Sequence, residues 1–403
     1  MKQIELLAPA GDENKLLTAL HFGADAVYFA SKKFGLRAYA TNFDQEGLKR
    51  AVDLTHAAGK KAYVTVNIFA SNRDFGELSD YLSYLEHIGA DGAIVSDPGV
   101  AALLKRVAPS LDLHISTQAN VTNKYAAGFW RDFGAKRIVL ARELSLSEIT
   151  EINEYLDGTA ETEVFIHGAM CISYSGRCLL SSYLTDRDSN RGECVQACRW
   201  EYALAEKSRT ERPLTMTEDE RGTYILNSKD MNTLPILDKI VQTGVSSLKI
   251  EGRMKSEYYV GCVTDAYRKA IDGVLSGAGI SSSLEEELYK VNHRDYCTGF
   301  YLGKAEQCYE TSKMHNEYRF CATVVGYDEQ KGMLEIEMRN RFFAGDVLEA
   351  VSPMGYSTVR FDEIYDAEGN RVTDCKIVQQ RLFIPTALRL QKYDILRKKE
   401  SSC

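Results

Sequence analysis

The sequence lacks any run of about 18 apolar residues, and the apolar stretch at its start is short and interrupted by Glu5. We therefore expect no membrane span and no signal sequence, and we predict a cytoplasmic protein whose thiols are reduced. An excess of basic residues is also missing, because the formal net charge is −8. That balance argues against a surface covered in positive potential, although a local basic patch would still allow nucleic-acid binding.

Several catalytic motifs are absent as well. The chain contains no H-E-x-x-H zinc-protease helix and no G-x-S-x-G nucleophile elbow, so sequence chemistry gives little support to a peptidase. No glycine-rich dinucleotide fingerprint follows the first apolar run. This weakens the case for a doubly wound open sheet, the main alternative to the fold predicted below.

Short apolar runs alternate with amphipathic stretches along most of the chain. Leu78, Leu82, Leu85 and Ile88 fall on one helical face, and Ser145 with Glu148 forms a capping box. Glycines at 23, 89, 134 and 244 stand where a helix would end and a strand would begin. Eight strands are predicted at 4–10, 26–31, 61–69, 92–97, 112–118, 137–142, 162–168 and 247–252. Eight strands separated by helices indicate an α/β fold of the TIM-type (β/α)8 barrel kind.

The seventh connection is much longer than the others. We predict a barrel domain over 1–315 that carries an insertion at 168–246, with helices at 256–276 and 283–291 after the last strand. From about residue 318 the sequence consists of short β-type runs separated by turns, which predicts a small all-β barrel domain over 316–403. We expect the basic tail Arg397-Lys398-Lys399 to be solvated.

Four of the ten cysteines lie in this long connection: Cys171, Cys178, Cys194 and Cys198. Thiolates are soft ligands for zinc, copper(I) or iron–sulfur clusters. Structural zinc sites use close cysteine pairs, and only the last pair is close here, so the spacing favours iron–sulfur. The alternatives are buried thiols, or disulfides that a reducing compartment would not maintain. Because loops after barrel strands build the active site, we expect the cysteines at the catalytic mouth.

Polar residues close most of the predicted strands and would meet at that mouth. They are Asn67, Asp97, Gln118, Arg142, Glu143, His167, Lys249, Glu251 and Arg253. Together with Arg177, the cations Arg142, Lys249 and Arg253 are candidate anchors for a small anionic molecule. Asp97 before Pro98 also fits a helix cap, and Arg142 a structural ion pair. His167 and Cys171 form a candidate nucleophile pair, but a cysteine committed to a cluster is not available as a nucleophile.

Two groups of residues are candidate RNA contacts. One group is Lys32, Lys33 and Arg37; the other lies around the cysteines and comprises Arg187, Arg191, Arg199 and Trp200. Trp200 could stack on a base, or it could pack under the loop.

The run His167-Gly168-Ala169-Met170-Cys171, then Ser173 to Cys178, then Cys194 and Cys198-Arg199-Trp200, closely resembles the signature of peptidase family U32, the collagenase-like proteins. Further landmarks are Leu7 to Gly11, Asn227 to Asp230 and Leu248 to Arg253. The resemblance covers almost the whole chain, and the β-rich tail is similar to the small C-terminal domain of the family.

The resemblance points to the family branch that hydroxylates tRNA wobble uridine at C5 without oxygen, using prephenate and an iron–sulfur cluster. It implies that Cys171, Cys178, Cys194 and Cys198 ligate a [4Fe–4S] cluster and that tRNA and a small anionic co-substrate are the partners. Catalytic roles are predicted for His167, Lys249 and Glu251, and substrate binding for Asn67, Gln118, Arg142, Arg177 and Arg253. The alternatives are a collagenase-like peptidase and a barrel with a structural metal that only binds RNA or a partner protein.

Overall fold

The computed structural model of the protein describes residues 4–35, 42–171, 173–200, 218–219, 222–223, 229–303 and 314–400. Arg37, Asn227 and Ser228, which the sequence singled out, lie outside these ranges.

Eight parallel strands close into a barrel, as predicted. They are β1 (Glu5–Pro9), β2 (Ala26–Phe29), β3 (Lys61–Val66), β4 (Gly92–Val95), β5 (Asp112–Ile115), β6 (Arg137–Val139), β7 (Glu161–Ala169) and, after further strands described below, β11 (Ser247–Ile250). β1 to β7 pair in sequence order, each with the next. β11 then pairs with both β7 and β1, which closes the ring. The register sets Lys249 of β11 beside Leu7 of β1 and Phe165 of β7. The closed ring brings all strand C-termini to one rim.

Helices cover the outside of the barrel. They are α1 (Glu13–His21), α2 (Gln45–Ala57), α3 (Phe75–His87), α4 (Pro98–Val107), α5 (Lys124–Phe133) and α6 (Leu146–Leu156), with α8 (Leu237–Gln242), α9 (Glu257–Ser276) and α10 (Ser282–Tyr289) later in the chain. The Ser145–Glu148 capping box is present, and the Asp97 side chain caps α4 as expected. The predicted glycines take positive φ, which lets the chain leave each helix and enter the next strand directly.

Charged residues occupy the barrel interior below the rim, which the apolar strand pattern did not predict. Arg137 donates to Glu161 at 2.7 Å and to Glu163 at 3.2 Å, and it also binds Glu5. Lys249 donates to the other oxygen of Glu163 at 2.9 Å. Burial by itself raises the pKa of Glu163, but Lys249 and Arg137 outweigh that effect and lower it overall. The barrel is therefore crossed by an ion-pair network that joins β1, β6, β7 and β11.

The described residues of the long connection after β7 form α7 (Leu180–Thr185), three short strands and several 3-10 turns. The short strands are β8 (Glu218–Asp219), β9 (Gly222–Thr223) and β10 (Asp230–Asn232). β10 runs antiparallel to the end of β7, and β12 (Tyr296–Cys297) pairs with β10. The connection thus extends the barrel sheet beyond the rim before the chain returns through α8.

The C-terminal domain is all-β, as predicted. Its strands are β13 (Tyr318–Asp328), β14 (Met333–Met338), β15 (Phe342–Phe343), β16 (Val347–Ser352), β17 (Gly355–Arg360), β18 (Asp374–Cys375), β19 (Arg381–Pro385) and β20 (Ile395–Lys399). Six of them form an antiparallel sheet in the order β17-β16-β20-β13-β14-β19, and β15 pairs with β18. Buried side chains of these strands form a second hydrophobic core, separate from that of the (β/α)8 barrel.

The prediction that the basic tail is solvated is wrong at Arg397. This residue lies on β20 with its side chain fully buried, between Glu287 of α10 at 2.6 Å and Glu349 of β16 at 2.7 Å. Nearby, His21 binds Asp394 at 2.7 Å and Tyr356 donates to Asp265 at 2.7 Å across the same interface. Opposite charges from the barrel domain make the tail part of the interface between the domains, which no local sequence pattern revealed.

Replacing Arg397 by alanine should lower the free energy of unfolding by about 3–5 kcal/mol, because two acidic side chains would remain without their buried cation. Arg360→Ala is the matched control, since Arg360 and its partner Asp362 are both exposed, and it should cost less than about 1 kcal/mol. Urea denaturation followed by circular dichroism measures both. Equal, small losses in the two variants would contradict the buried interface.

Candidate functional site

A cavity of about 190 Å³ opens at the C-terminal rim of the barrel. Its walls include ten of the twelve predicted site residues: Asn67, Gln118, Arg142, Cys171, Cys178, Cys194, Cys198, Lys249, Glu251 and Arg253. The rim of a (β/α)8 barrel collects the residues that follow each strand, and for that reason they meet although they lie far apart in sequence. The inserted connection forms the outer wall.

Cations stand on the side of the cavity built by β6 and β11. Lys249 is buried at the base, bound to Glu163 and 4.4 Å from the centre of the Tyr28 ring. Arg142 donates to the carbonyl of Ala169 at 2.8 Å and pairs with Glu251 at 3.2 Å. Both cations are thus held rigidly in a half-apolar enclosure, where their attraction for an anion is stronger than it would be in water.

Arg142 and Arg253 complete this cationic side. The Arg142 guanidinium lies 3.8 Å from the centre of the Phe165 ring, and its Nε has no hydrogen-bond partner. Arg253 is buried, with its guanidinium 3.5 Å from the Asn42 side-chain oxygen. The sequence allowed Arg142 to form a structural ion pair. It forms one, and its partner is Glu251, which follows β11.

Amide side chains occupy the other side of the cavity, above β3 and β5. Asn67 donates to Gln118 Oε1 at 2.6 Å, and both residues follow barrel strands. Gly176 of the insertion closes over this pair, with φ of +73°, and a Cβ there would lie 2.6 Å from Gln118 Nε2. Glycine is therefore required at this point, both for its backbone conformation and for the close approach.

The insertion is anchored to the barrel by polar contacts. Arg191 binds Asp74 at 3.0 Å and donates to the carbonyl of Phe69 at 2.7 Å. The hydrogen bond from Arg191 is the main reason that the pKa of Asp74 lies well below its usual value. Ser189 and Asn190 donate to the carbonyl of Cys178, at 2.5 and 3.2 Å. These contacts hold the outer wall over the cavity.

The four clustered cysteines share that wall. Backbone N–H groups of Leu180 and Gln196 donate to the sulfurs of Cys178 and Cys194, each at 3.4 Å. Cys171 is exposed as a residue. Burial of its sulfur nevertheless raises the pKa of the thiol, and the nearby thiols of Cys178 and Cys194 also act to raise it. Such N–H donors to sulfur are typical of thiolates that hold iron–sulfur clusters.

The four sulfurs are not gathered around one point. Within the described ranges, no three His, Cys, Asp or Glu side chains are close enough together to hold a metal ion. The number and chemistry of the four thiols, all of which line the same cavity, nevertheless fit the donor set of an iron–sulfur cluster.

Two predicted site residues lie outside the cavity walls. Arg177 is exposed, with its guanidinium 5.5 Å from the centre of the Phe69 ring. His167 points to the helix side of β7, where it is buried against Tyr259, Tyr267 and Tyr296. Burial lowers the pKa of His167 to about 3, so the ring is neutral. The alternation of side chains along β7 turns His167 away from the mouth.

Sequence reasoning missed two residues that shape the site. Glu163 supports Lys249 from inside the barrel, and its signal was present: Glu161 and Glu163 are two residues apart, on the same face of a strand that is otherwise mostly buried. Asn190 lies on the cavity wall, but it comes from an irregular turn with no pattern that marks it.

The residues predicted to contact RNA lie in different environments. Lys33 is exposed and paired with Glu77, and Arg191 serves as the anchor to Asp74. Trp200 is 42% exposed, so part of its side chain is covered and part is open to solvent. Among the helices of the described ranges, none is long and apolar enough to cross a membrane.

Sequence comparison identifies two matching family profiles. Peptidase family U32 matches residues 11–311, and the peptidase family U32 C-terminal domain matches residues 316–397.

Three relatives illustrate the similarity. A Bacillus subtilis protein named tRNA hydroxylation protein P1 is 41% identical over 378 residues, covering 92% of this chain and 89% of the relative. The Escherichia coli tRNA hydroxylation protein P is 36% identical over 409 residues, covering 91% and 90%. A Porphyromonas gingivalis protein named collagenase is 31% identical over 317 residues, covering 75% of each chain.

The buried, neutral His167 predicts a specific loss of stability in acid. Its pKa of about 3 in the folded state lies below the unfolded value near 6.5, so the unfolded chain binds the proton first. Stability therefore falls as pH drops below about 6.5, and this residue alone should account for about 2–3 kcal/mol by pH 4.

His167→Gln should accordingly lose less free energy of unfolding than the wild type between pH 7 and pH 4. His87→Gln changes an exposed histidine and is the control, expected to follow the wild type. The measurement is denaturant unfolding at a series of pH values. Parallel curves for the wild type and His167→Gln would show that His167 is not held neutral.

Proposed function

The chain belongs to peptidase family U32, and we propose that it is an RNA hydroxylase acting on tRNA. The observation that carries the proposal is one cavity at the barrel rim, lined by all four clustered cysteines together with the buried Lys249 and Arg253. Redox-capable ligands and fixed cations in one enclosure suit a reaction between an anionic co-substrate and a second substrate bound beside it.

The tRNA substrate is supported by the names of relatives. Two proteins that share 41% and 36% identity over more than nine-tenths of this chain are named for tRNA hydroxylation. We infer uridine C5 at the wobble position as the site of hydroxylation. An enzyme that acts on a base carbon takes the base out of the stack into a pocket, and the open cavity can receive it.

Prephenate is the proposed hydroxyl donor. Replacing a base C–H by C–OH removes two electrons from the base. Formally, the donor carbon exchanges its C–OH bond for a C–H bond, so it takes up those two electrons and one proton, which balances the proton that leaves the base. Prephenate carries two carboxylates, and Arg142, Lys249 and Arg253 offer fixed cations for them. Arginine donates two parallel hydrogen bonds to a carboxylate, which would orient the donor as well as bind it.

Cys171, Cys178, Cys194 and Cys198 are the residues that would hold a [4Fe–4S] cluster. When bound there, it would supply one-electron transfer. The protein groups around the cavity do the remaining work. Glu251, positioned by Arg142, is the proposed acceptor for the proton that leaves the base, and Lys249 holds the donor at the base of the cavity.

A collagenase-like peptidase is the second candidate, because one relative carries that name. The geometry does not favour it here. His167 contacts the hydroxyl of Tyr267 at 3.3 Å and lies off the cavity wall that carries Cys171. The raised pKa of Cys171 also disfavours the thiolate that a cysteine nucleophile needs.

Replacing any one of the four clustered cysteines by alanine should reduce bound iron from about four atoms per chain to fewer than one. The same variants should lose hydroxylated uridine in tRNA. Iron and sulfide analysis of anaerobically purified protein and mass spectrometry of tRNA nucleosides measure the two effects. Cys297→Ala, outside the cysteine-bearing wall, is the control. A wild type that holds zinc and cleaves gelatin would refute the proposal.

Arg253→Met should raise the KM for prephenate by about 10- to 100-fold, the cost of one lost charge-assisted hydrogen bond. The iron content should stay at the wild-type level, because the cysteines are untouched. Arg177→Met removes an arginine that lies outside the cavity and should leave the KM unchanged. An unaltered KM in Arg253→Met would remove this residue from donor binding.

A further inference from the structure

The wall that the insertion contributes to the cavity also has an exposed outer face. Ser175 and Gly176 line the cavity, and they lie inside a turn in which the N–H of Arg177 donates to the carbonyl of Tyr174 at 3.1 Å. Both residues that close this turn are exposed. The same short segment therefore presents small residues to the cavity, and an aromatic ring and a guanidinium group to solvent.

Helix α7 repeats this division. Leu180 and Ser181 line the cavity, whereas Leu179 and Tyr183 are 69% and 87% exposed. The N–H of Tyr183 donates to the carbonyl of Leu179 at 2.9 Å, and residues four apart lie on one face of a helix. The helix thus covers the cavity with one face and leaves an apolar face open.

The 3-10 turn Ala197–Arg199 continues the wall and lies next to α7. Ala197 lines the cavity, and its carbonyl accepts from the N–H of Trp200 at 3.1 Å. Trp200 itself is 42% exposed. Exposed aromatic side chains therefore follow the outer face of the wall at Tyr174, Tyr183 and Trp200.

The cavity opens close to these aromatic residues. Cys171, Gln196 and Met254 line the cavity and are also exposed as residues, so they mark its opening. Tyr174 follows Cys171 by three residues and Trp200 follows Gln196 by four, so their Cα atoms lie within about 15 Å of the opening. A polymer that places one unit in the cavity must lay its neighbouring units near this rim.

The chemistry of this outer face suits a single strand of RNA. Aromatic rings stack on any base, and cations contact the phosphates between the bases. Residues 171–200 contain four arginines and three acidic residues, an excess of one positive charge in a chain whose formal net charge is −8. Arg177 forms no ion pair with any residue that the structure describes, so its charge is available to a phosphate.

We propose that the outer face of the insertion binds the RNA strand next to the base that enters the cavity. Tyr174, Tyr183 and Trp200 stack on neighbouring bases, and Arg177 contacts a phosphate. This inference rests on the proposed RNA-hydroxylase function and adds the surface that holds the substrate. The segment that carries the four cysteines then also positions the RNA.

Tyr183→Ala should raise the Kd for a fluorescently labelled tRNA anticodon stem-loop about tenfold, because one base loses its stacking partner. Tyr183 is so exposed that the fold should tolerate the change. Tyr183→Phe keeps the ring and should stay within about twofold of the wild type. Tyr125→Ala is the matched control, since Tyr125 is 70% exposed on α5, and it should leave the Kd unchanged. Fluorescence anisotropy with full-length, anaerobically purified protein measures each Kd.

Arg177→Met should change the salt dependence of binding. Log Kd rises with the logarithm of the salt concentration, and the loss of one phosphate contact should lower that slope by about 0.7. Tyr183→Ala should keep the wild-type slope, because a stacked ring releases no counterions. Arg50→Met is the control: Arg50 lies on α2 with its side chain 58% exposed, and its loss should leave the slope unchanged.

The outcomes separate this inference from the proposed function. Equal Kd values for the wild type and Tyr183→Ala, or an equal loss in Tyr183→Phe and Tyr183→Ala, overturn the stacking role and assign the surface to another partner, such as a protein. An unchanged slope in Arg177→Met overturns the phosphate contact. If both roles are overturned in a protein that hydroxylates tRNA, the inference is wrong and the proposed function stands. A wild type that neither binds nor hydroxylates tRNA overturns both.

Discussion

The ion pair between Glu163 and Lys249 inside the barrel is the interaction on which the site depends. A carboxylate with no exposed surface is tolerated only because Lys249 and Arg137 both neutralise it. The pair links neighbouring strands and fixes the ammonium group at the base of the cavity. Removing either partner would leave a buried charge, so the interior of this barrel is constrained by electrostatics as much as by apolar packing.

The cysteine-bearing insertion completes a cavity that the barrel alone leaves open. It is held down by the Arg191–Asp74 pair and by the hydrogen bonds to the carbonyl of Cys178, which lie on the β3 side of the rim. The insertion therefore covers the amide side most closely, and the cationic side remains part of the barrel proper. This division gives the cavity two chemically different walls, an arrangement suited to two substrates.

The C-terminal domain is joined to the barrel by buried charge. Arg397 reaches Glu287 and Glu349, and Tyr356 reaches Asp265 on α9. Separating the partners of a buried ion pair leaves an uncompensated charge, which costs free energy. These contacts therefore give the small domain a defined position on the barrel. Any RNA contact that it makes would be made from that fixed position.

The sequence by itself determined the eight-strand barrel, the all-β tail and the position of the cysteines at the rim, because periodicity, helix caps and glycine joins are local signals. It also brought most of the site together, since residues that end parallel strands of a barrel must meet. Only the tertiary structure decided which way each side chain points. It turned His167 toward α9, left Arg177 on the surface, buried Arg397 and placed Asn190 on the cavity wall. These outcomes depend on contacts between residues distant in the chain, which no local pattern encodes.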